Sequence, residues 1–564
     1  MRMRKIAPAV IGAAALALVV AGCGGGDADN TAAKNNTSTG GASATSNQPL
    51  TVGMPNGPVT NNSNPFLNTS AGAMIGYKWA IYEPLMQAND TRPANKYIPW
   101  LATGIDWNTD YTEAKITARD GVKWSDGEAF SADDIAYSLQ LRKDNDALNT
   151  EGLKYKDIKV DGNVVTVDFE GSQYINTLKV AQLFIVPKHL WEKIADPTKD
   201  PVANPVGTGP YAFKSFSGQT ITLDKNPDYW GDKPAVPELR YTAYKGNDAL
   251  ITALQTGEAQ WGWTFIPNID EVYKSKDPAH NTYFFPAGLG IDQFIMNTAK
   301  APFNDVAVRR AVDQVLDRAK ASKIAESGIF PELTSVTAIP TPAGDSFISD
   351  KYKAQTYKVD VAGAKKTLTD AGYQYKGDKL IGKDGQPVSI TLQDPSGWND
   401  YITSLQLIAD SLKTIGITAK VATPNVDTWT ENLNVGNFDA ALHWTNAGIT
   451  PYEMYSNMFD PNYYVPAGKT AVWNYGRFQN DDAKKAFADY LAATDDAGRK
   501  TALDKLQDVY VDQVPALGVD ARPAAAEMST KYWTGWPSDD DAYANPQPTV
   551  PNVALILTKL KPAS

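Results

Sequence analysis

Strand-like and helix-like segments alternate along the chain from residue 50 onward, without a fixed repeat. Apolar residues at alternate positions or in short runs predict strands over 50–54, 114–122, 158–160 and 164–169. The last two are separated by Asp161-Gly162-Asn163, a loop of turn-forming residues that predicts a hairpin. Helices are predicted over 72–86, over 305–327, where apolar residues recur at helical spacing, and over 361–371, which ends at Gly372.

The second half of the chain contains a clear strand–helix–strand order. A strand is predicted over 388–392, a helix over 401–414 and another strand over 417–421. Such an order predicts two parallel strands connected by the helix. The fold class is therefore α/β. A length of 564 residues is too long for one hydrophobic core and predicts two to four lobes.

The N-terminus has the pattern of an export signal. Five residues rich in Arg and Lys precede an apolar run over 6–21, which is too short to span a membrane comfortably. Val20-Ala21-Gly22-Cys23 resembles the bacterial lipobox, in which the cysteine is lipidated. We expect a signal peptide over 1–22, with lipidated Cys23 and a flexible tether over 23–49, a segment without large apolar residues. The expected location is the extracytoplasmic face of the cell membrane, with the lipid as the sole anchor.

Composition excludes several classes of protein. Hydrophobic residues make up 43% and charged residues 21%, which excludes a wholly disordered chain and a polytopic membrane protein. The net charge of −11 argues against a nucleic-acid partner. One cysteine excludes a disulfide framework, and with only three histidines a metal site or cofactor is not expected. His189, His280 and His443 are too scattered to be joined into a site, and Asp539-Asp540-Asp541 is expected to be a solvated loop.

Sequence motifs of common enzymes are missing, so the chain is not expected to be an enzyme. There is no GxSxG, no GxxxxGK[ST] and no HExxH. Several other motifs belong together. They are the stretch 118–135, Tyr82-Glu83-Pro84-Leu85, Val206-Gly207-Thr208-Gly209-Pro210-Tyr211, Asn226-Pro227-Asp228-Tyr229-Trp230, Met296-Asn297-Thr298, Pro302-Phe303-Asn304-Asp305 and Val308-Arg309-Arg310-Ala311. Jointly they resemble the family 5 solute-binding proteins of bacterial ABC importers, the dipeptide, oligopeptide and nickel binders.

The resemblance implies a two-lobed periplasmic-binding-protein fold of class II, cluster C type. The first lobe is expected over 50–300 with a β-rich subdomain inserted at about 86–204, the second lobe over 301–530, and a return to the first lobe over 531–564. The ligand would lie in the cleft between the lobes, which close around it by a hinge motion. The implied partners are ABC permease subunits, and the protein is expected to be a monomer.

The resemblance leaves the ligand class open. In peptide-binding relatives an Asp lies three residues after a Trp and pairs with the α-ammonium of the peptide. Here Trp444 and Pro451 keep the spacing of that stretch, but Ala447 occupies the position of the Asp. Because an unpaired charge is costly in a closed cleft, this departure argues against ordinary peptide binding.

Aromatic residues point instead to a β-linked oligosaccharide of the cello, xylo or manno type. The chain has 14 Trp and 27 Tyr, and aromatic rings offer flat platforms for sugar faces. The run Gly397-Trp398-Asn399-Asp400 resembles the Gly-Trp-Thr-Asp of the family's cellobiose and cello-oligosaccharide binders, and follows a strand at its C-terminal end, where α/β sheets bind ligands. The candidate ligand contacts are Trp398, Trp444, Asn446, Trp261, Trp263, Trp473 and Tyr475.

Three other functions remain open at this point. A peptide binder with a different counter-charge should bind with salt-dependent affinity. A nickel-chelate binder would depend on a carried chelator, because histidine is scarce. A secreted glycan hydrolase would need two carboxylates facing each other across the cleft.

Overall fold

The computed structural model describes residues 47–92 and 95–563. The first lobe is built on a mixed sheet of seven strands. Leu50–Met54 lies near its centre and pairs in parallel with a strand on each side. In spatial order the strands are Asn281–Phe284, Ala526–Ser529, Trp261–Gly262, Leu50–Met54, Glu238–Ala243, Thr220–Lys225 and Tyr211–Ser217.

The second lobe is built on a sheet of five strands. In spatial order these are Thr418–Ala422, Ser389–Gln393, Ala440–Trp444, Ala287–Met296 and Ala516–Pro523. The first two are parallel and are connected by the helix Asn399–Thr414, so the predicted strand–helix–strand unit is confirmed. The other α-helices of at least eight residues in this lobe are Val306–Val315, Val361–Asp370, Val426–Val435, Tyr452–Phe459, Asp481–Ala492 and Asp496–Gln513.

A third, antiparallel sheet belongs to a subdomain beside the first lobe. Its strands in spatial order are Ala102–Trp107, Glu113–Ala118, Val164–Phe169 and Tyr155–Asp161, and the helix Ala132–Asp144 lies against it. The predicted hairpin is confirmed, since Asp161 pairs with Val164. Buried side chains form a continuous core through this subdomain, the seven-stranded sheet and the C-terminal helix Val553–Lys559. The subdomain is thus fixed to the first lobe.

Short elements complete the structure. Two-stranded sheets are formed by Met86–Gln87 with Ile98–Pro99, Gln374–Lys376 with Lys379–Ile381, and Trp533–Thr534 with Lys561–Pro562. The other helices described outside the second lobe are Asn247–Thr256 and the short Ala71–Met74, Lys78–Ile81, Thr177–Ala181, Lys188–Trp191 and Ile269–Val272, with 3-10 turns at Asp146–Leu148, Tyr174–Asn176 and Lys274–Lys276. In the second lobe the short turns are Arg318–Lys320, Ala321–Ala325, Asp345–Phe347 and Pro461–Tyr463. None of the helices in the described part of the chain is long and apolar enough to cross a membrane.

Two predicted helices are interrupted. In place of the helix predicted over 72–86, the structure has two short helices separated at Gly76. Gly76 has a φ of +91°, and a Cβ at this position would collide with Pro548 O, so only glycine fits. The helix predicted over 305–327 ends at Val315, because Leu316 is extended. A new turn begins there, capped by the Asp317 side chain, which accepts from Lys320 N.

The chain crosses between the two large sheets twice. It leaves the first sheet after Phe284 and enters the second at Ala287, and it returns between Pro523 and Ala526. The crossings therefore lie earlier in the chain than the boundaries expected after 300 and 530, since the long strand Ala287–Met296 already belongs to the second sheet. Two short connections of this kind are where a hinge between lobes can bend.

A buried carboxylate connects two of the sequence motifs. Glu83 is fully buried, and its Oε1 accepts from Trp100 Nε1 at 2.6 Å and from Tyr229 OH at 2.8 Å. Its Oε2 accepts from Trp230 Nε1 at 2.9 Å. Burial raises the pKa of Glu83 to about 7, although these hydrogen bonds oppose the shift. The motifs at 82–85 and 226–230 therefore meet at a buried carboxylate and help to hold the first lobe together.

Stability should depend on the protonation of Glu83. Because its folded pKa lies above its usual value near 4.5, the stability gained from protonation is complete below about pH 4.5 and is lost as the pH rises through about 7. We expect wild type to lose roughly 3 kcal/mol relative to Glu83→Gln across this window. Urea unfolding of both proteins from pH 4.5 to 8 measures the difference, and a constant difference would contradict the buried, titrating carboxyl.

Candidate functional site

A large cavity lies between the second lobe on one side and the first lobe with its subdomain on the other. Its volume is 1140 Å³, slightly more than is usual for a site that holds one small ligand. The first lobe and subdomain contribute Met86, Thr91, Arg92, Asn95, Lys96, Tyr97, Ile105, Trp107, Tyr111, Tyr174, Thr177, Ala181 and Asp539, and the first crossing contributes Phe285 and Pro286. The second lobe contributes Ala287, Pro331, Thr341, Pro342, Ala343, Ser346, Phe347, Ile449 and Thr450.

Aromatic rings form much of the subdomain wall of this cavity. Trp107 stacks on Phe169 with 5.8 Å between ring centroids, and Tyr111 meets Tyr174 edge to face at 5.1 Å. Tyr97 lies in the same wall. Rings fixed in this way can offer apolar faces to a ligand while nearby hydroxyl and amide groups form hydrogen bonds with it. The sequence did not single out these four cavity-lining residues, Tyr97, Trp107, Tyr111 and Tyr174.

Four of the predicted site residues gather in a second aromatic group, beyond the C-terminal ends of two neighbouring strands of the second sheet. The strands Ser389–Gln393 and Ala440–Trp444 are parallel. Their C-terminal ends therefore place Trp398 and Trp444 together, with ring centroids 6.2 Å apart. His443 stacks on Trp444 at 4.1 Å and contacts the predicted Trp473 and Tyr475 at 5.7 Å and 5.1 Å. Buried Trp429, which was not predicted, fills the space behind them.

This aromatic group and the cavity lie along the same strand. Trp444 pairs with Asp292 of the strand Ala287–Met296, whose first residue lines the cavity. Five residues of strand separate the two points, about 17 Å. The loop that follows Trp444 leads back to the cavity, which is lined by Ile449 and Thr450. In this loop Asn446 and Ala447 are exposed, and Asn446 N donates to Asn457 Oδ1 at 2.7 Å.

The remaining two predicted residues, Trp261 and Trp263, belong to the first lobe. Trp261 is fully buried, its Nε1 donates to Pro546 O at 2.8 Å, and its ring contacts Trp536 at 5.3 Å. The expectation that Trp261 faces the cleft is therefore wrong, because the C-terminal segment with Trp536 and Pro546 packs on its ring. Trp263 is half-buried and packs against Phe285, a cavity-lining residue, at 5.8 Å. It supports the cavity wall from behind.

Carboxyl groups with raised pKa values surround one arginine beside the aromatic group. Arg522 Nη1 donates to Asp292 Oδ1 at 3.1 Å, and the guanidinium lies 5.5 Å from the centre of the Trp444 ring. Tyr401 OH donates to the same Asp292 oxygen at 2.6 Å. Burial is the largest cause of the raised pKa of the nearby carboxyls, and neighbouring carboxylates add to it. These carboxyls are Glu326, Asp394, Asp400 and Asp520.

The histidines do not form a common site. His189 contacts Asp126 and His280 contacts Asp277, each at 2.8–2.9 Å. His443 is buried in the aromatic group, and burial lowers its pKa to about 4. Over residues 47–92 and 95–563, no three His, Cys, Asp or Glu side chains are grouped as ligands of a metal ion.

Two lobes joined by two short crossings, with an aromatic-walled cavity between them, are typical of two-lobed solute-binding proteins. The family model described as "Bacterial extracellular solute-binding proteins, family 5 Middle" matches residues 96–464. The chain belongs to this family.

Individual relatives agree with this assignment. Protein XP55 of Streptomyces lividans is 30% identical over 332 residues, which is 57% of this chain and 58% of that protein. The dipeptide-binding protein of Escherichia coli is 25% identical and covers 80% of this chain and 86% of its own length.

Solved structures confirm the predicted fold. The periplasmic oligopeptide-binding protein of an oligopeptide ABC transporter from Thermotoga maritima superposes with a TM-score of 0.80. It is 23% identical, and the superposition covers 92% of this chain and 99% of that one. A structure of the same Thermotoga protein with bound mannohexaose superposes with a TM-score of 0.75.

Proposed function

We propose that this protein is the substrate-binding subunit of an ABC importer and captures a β-linked oligosaccharide between its lobes. The observation that carries the proposal is the interlobe cavity of 1140 Å³ with Tyr97, Trp107, Tyr111 and Tyr174 in its wall. Aromatic faces suit the C–H faces of sugar rings. Hydroxyl groups of a sugar find partners in Asn95 and in several Thr and Ser residues of the lining.

The loop after Trp444 supports an uncharged ligand. Ala447 is exposed and lies beside the backbone of the strand Ala287–Met296, since a Cβ built on Gly288 would be 3.8 Å from Ala447 Cβ. It therefore lies beside Gly288, which follows cavity-lining Ala287 in the chain, and it offers no charge. The bound mannohexaose of the Thermotoga maritima protein agrees with a sugar ligand for this fold.

A peptide is the second candidate ligand, because charged groups of both signs line the cavity. Arg92 and Lys96 lie in its wall, and so does Asp539, from the acidic run expected to be a solvated loop. A zwitterionic peptide could pair with both signs of charge. The names of the Escherichia coli dipeptide-binding and Thermotoga maritima oligopeptide-binding proteins agree with this alternative.

Thermal-shift screening against neutral oligosaccharides and peptides tests the choice between these ligands. A ligand that binds only the folded protein stabilises it by RT ln(1 + [L]/Kd), about 2.7 kcal/mol at a hundredfold excess over Kd. We expect a β-linked oligosaccharide to raise the melting temperature and the peptides to leave it unchanged. Release of shorter sugars during incubation would instead indicate a hydrolase.

A charge at position 447 should separate the two ligand classes. Ala447→Asp is expected to lower oligosaccharide affinity, by roughly tenfold, because closure would desolvate a carboxylate without a partner. Ala447→Asn, of nearly the same size and uncharged, is the control and should lower it less. Isothermal titration calorimetry measures both, and an unchanged affinity in Ala447→Asp would place the ligand away from this loop.

We also propose that the protein is anchored by lipid at Cys23 to the extracytoplasmic face of the cell membrane. The signal peptide, Cys23 and the tether up to residue 46 lie outside the described residues, so the proposal depends on the lipobox-like run Val20-Ala21-Gly22-Cys23 and on the absence of other cysteines. The lipid would keep the binding protein close to its permease.

Replacing Cys23 should detach the protein without affecting its fold. Cys23→Ala is expected to move the protein from the membrane fraction to the medium or to an uncleaved precursor, because no other residue can carry the thioether. Fractionation and immunoblotting measure the shift, with Ser38→Ala in the tether as the control. A processed, membrane-bound Cys23→Ala protein would refute the lipid anchor.

A further inference from the structure

The inserted subdomain touches the second lobe at a place where an arginine is buried between aromatic rings. Arg499, in the helix Asp496–Gln513 of the second lobe, is 5% exposed. Its guanidinium carbon lies 3.4 Å from the ring centre of Tyr174 and 5.4 Å from that of Tyr111, both in the subdomain. A cation so close to a desolvated ring is attracted by the negative face of the ring, and more strongly than at an exposed site.

Further contacts surround this arginine. Tyr174 also lies 6.3 Å from Tyr490 of the second lobe, ring to ring, and packs with Ile175 against the core of that lobe. Lys179 Nζ lies 3.5 Å from Glu453 Oε1, a partly exposed pair that contributes little on its own. The subdomain, which shares its core with the first lobe, therefore also docks on the second lobe.

The Arg499 contact and the crossings between the lobes lie on opposite sides of the cavity. Tyr111 and Tyr174 line the cavity, and so do Phe285 and Pro286 at the first crossing between the lobes. The cavity thus lies between the crossings, where a hinge can bend, and the contact made by Arg499. Lobes joined by a hinge on one side and by a contact on the other enclose whatever lies between them.

We propose that Arg499 is a positioning residue that fastens the inserted subdomain to the second lobe and so holds the cavity closed. It acts through Tyr111 and Tyr174, whose rings it holds at the cavity wall. Its Nε and Nη2 have no hydrogen-bond acceptor among the described residues, so the aromatic faces are its main partners, beside a 3.3 Å contact from Nη1 to Asp496 Oδ1. Opening separates this cation from the rings. The proposal does not depend on the class of ligand.

Single-molecule fluorescence energy transfer between the subdomain and the second lobe tests the proposal on the ligand-free full chain. Dyes are placed on cysteines introduced at the exposed Lys159 and Lys485, with Cys23→Ser to remove the native thiol. In Arg499→Met, which keeps much of the length and loses the charge, the ratio of closed to open molecules should fall about tenfold or more. Arg499→Lys keeps a cation and should fall less.

Arg318 provides a matched control. It is a buried arginine of the second lobe whose guanidinium carbon lies 3.3 Å from the ring centre of Tyr357, in the same lobe. Arg318→Met should reduce stability and leave the closed-to-open ratio unchanged. If Arg499→Met does not fold, Tyr174→Leu should shift the ratio in the same direction. An unchanged ratio in the folded Arg499 and Tyr174 variants, or an equal fall in Arg318→Met, would overturn the proposal.

Discussion

Alanine in place of Trp261 is expected to lower the free energy of unfolding by about 3–5 kcal/mol and to leave ligand affinity unchanged. The ring is fully buried in the first lobe against Trp536, and its Nε1 hydrogen bond to Pro546 O ties the C-terminal segment to the sheet. Truncation therefore leaves a cavity and an unpaired carbonyl. Urea unfolding measures the loss, and calorimetric titration of the folded variant measures the affinity.

Trp473→Ala is the control for this prediction. Trp473 is half-buried at the edge of the second lobe, so the same truncation there should cost clearly less stability. If the Trp261→Ala protein has normal stability and binds the ligand more weakly, Trp261 contacts the ligand and is not a core residue.

The second large effect is expected at Trp398 and Trp444. Alanine at either position should weaken oligosaccharide binding by about 1–3 kcal/mol, the range found when a packed aromatic anchor is lost from an interface. Both rings are half-buried at the C-terminal ends of parallel strands, where ligands of α/β proteins bind. Titration calorimetry with the oligosaccharide selected by the thermal-shift screen measures the loss.

Trp429→Ala is the control that distinguishes loss of a ligand contact from loss of packing in this aromatic group. It touches Trp398 at 5.1 Å but is buried, so Trp429→Ala should lower stability more than affinity. Wild-type affinity in both Trp398→Ala and Trp444→Ala, combined with a large loss of stability, would assign these two rings to packing as well.

Local patterns in the sequence predicted the elements whose conformation depends on neighbours in the chain. The parallel strands around the helix Asn399–Thr414 and the hairpin at Asp161 are of this kind. The helix predicted over 72–86 failed because Gly76 must pass close to Pro548, a residue more than four hundred positions away. No local pattern reports such a contact.

The same limit applies to the site. Trp398 and Trp444 were each predicted as ligand contacts from their positions and from the resemblance, but only the structure shows that their rings lie side by side. Tyr97, Trp107, Tyr111 and Tyr174 line the cavity only because the subdomain docks with that wall facing the second lobe. Docking of one folded unit on another depends on complementary surfaces, which periodicity does not reveal. The burial of Trp261 similarly follows from a distant part of the chain, since Trp536 and Pro546 of the C-terminal segment pack on it.

Titration calorimetry of a neutral β-linked hexasaccharide, at low and at high salt, is the most direct test of whether the cavity binds an uncharged sugar. Mannohexaose and cellohexaose are the first probes, with a hexapeptide titrated in parallel. An uncharged ligand in an aromatic cleft should bind with an affinity that hardly changes between roughly 0.05 and 0.5 M salt, because screening acts on charges. We expect such binding for the sugar and none for the peptide. Tight, strongly salt-dependent binding of the peptide, with no heat from any sugar, would contradict it.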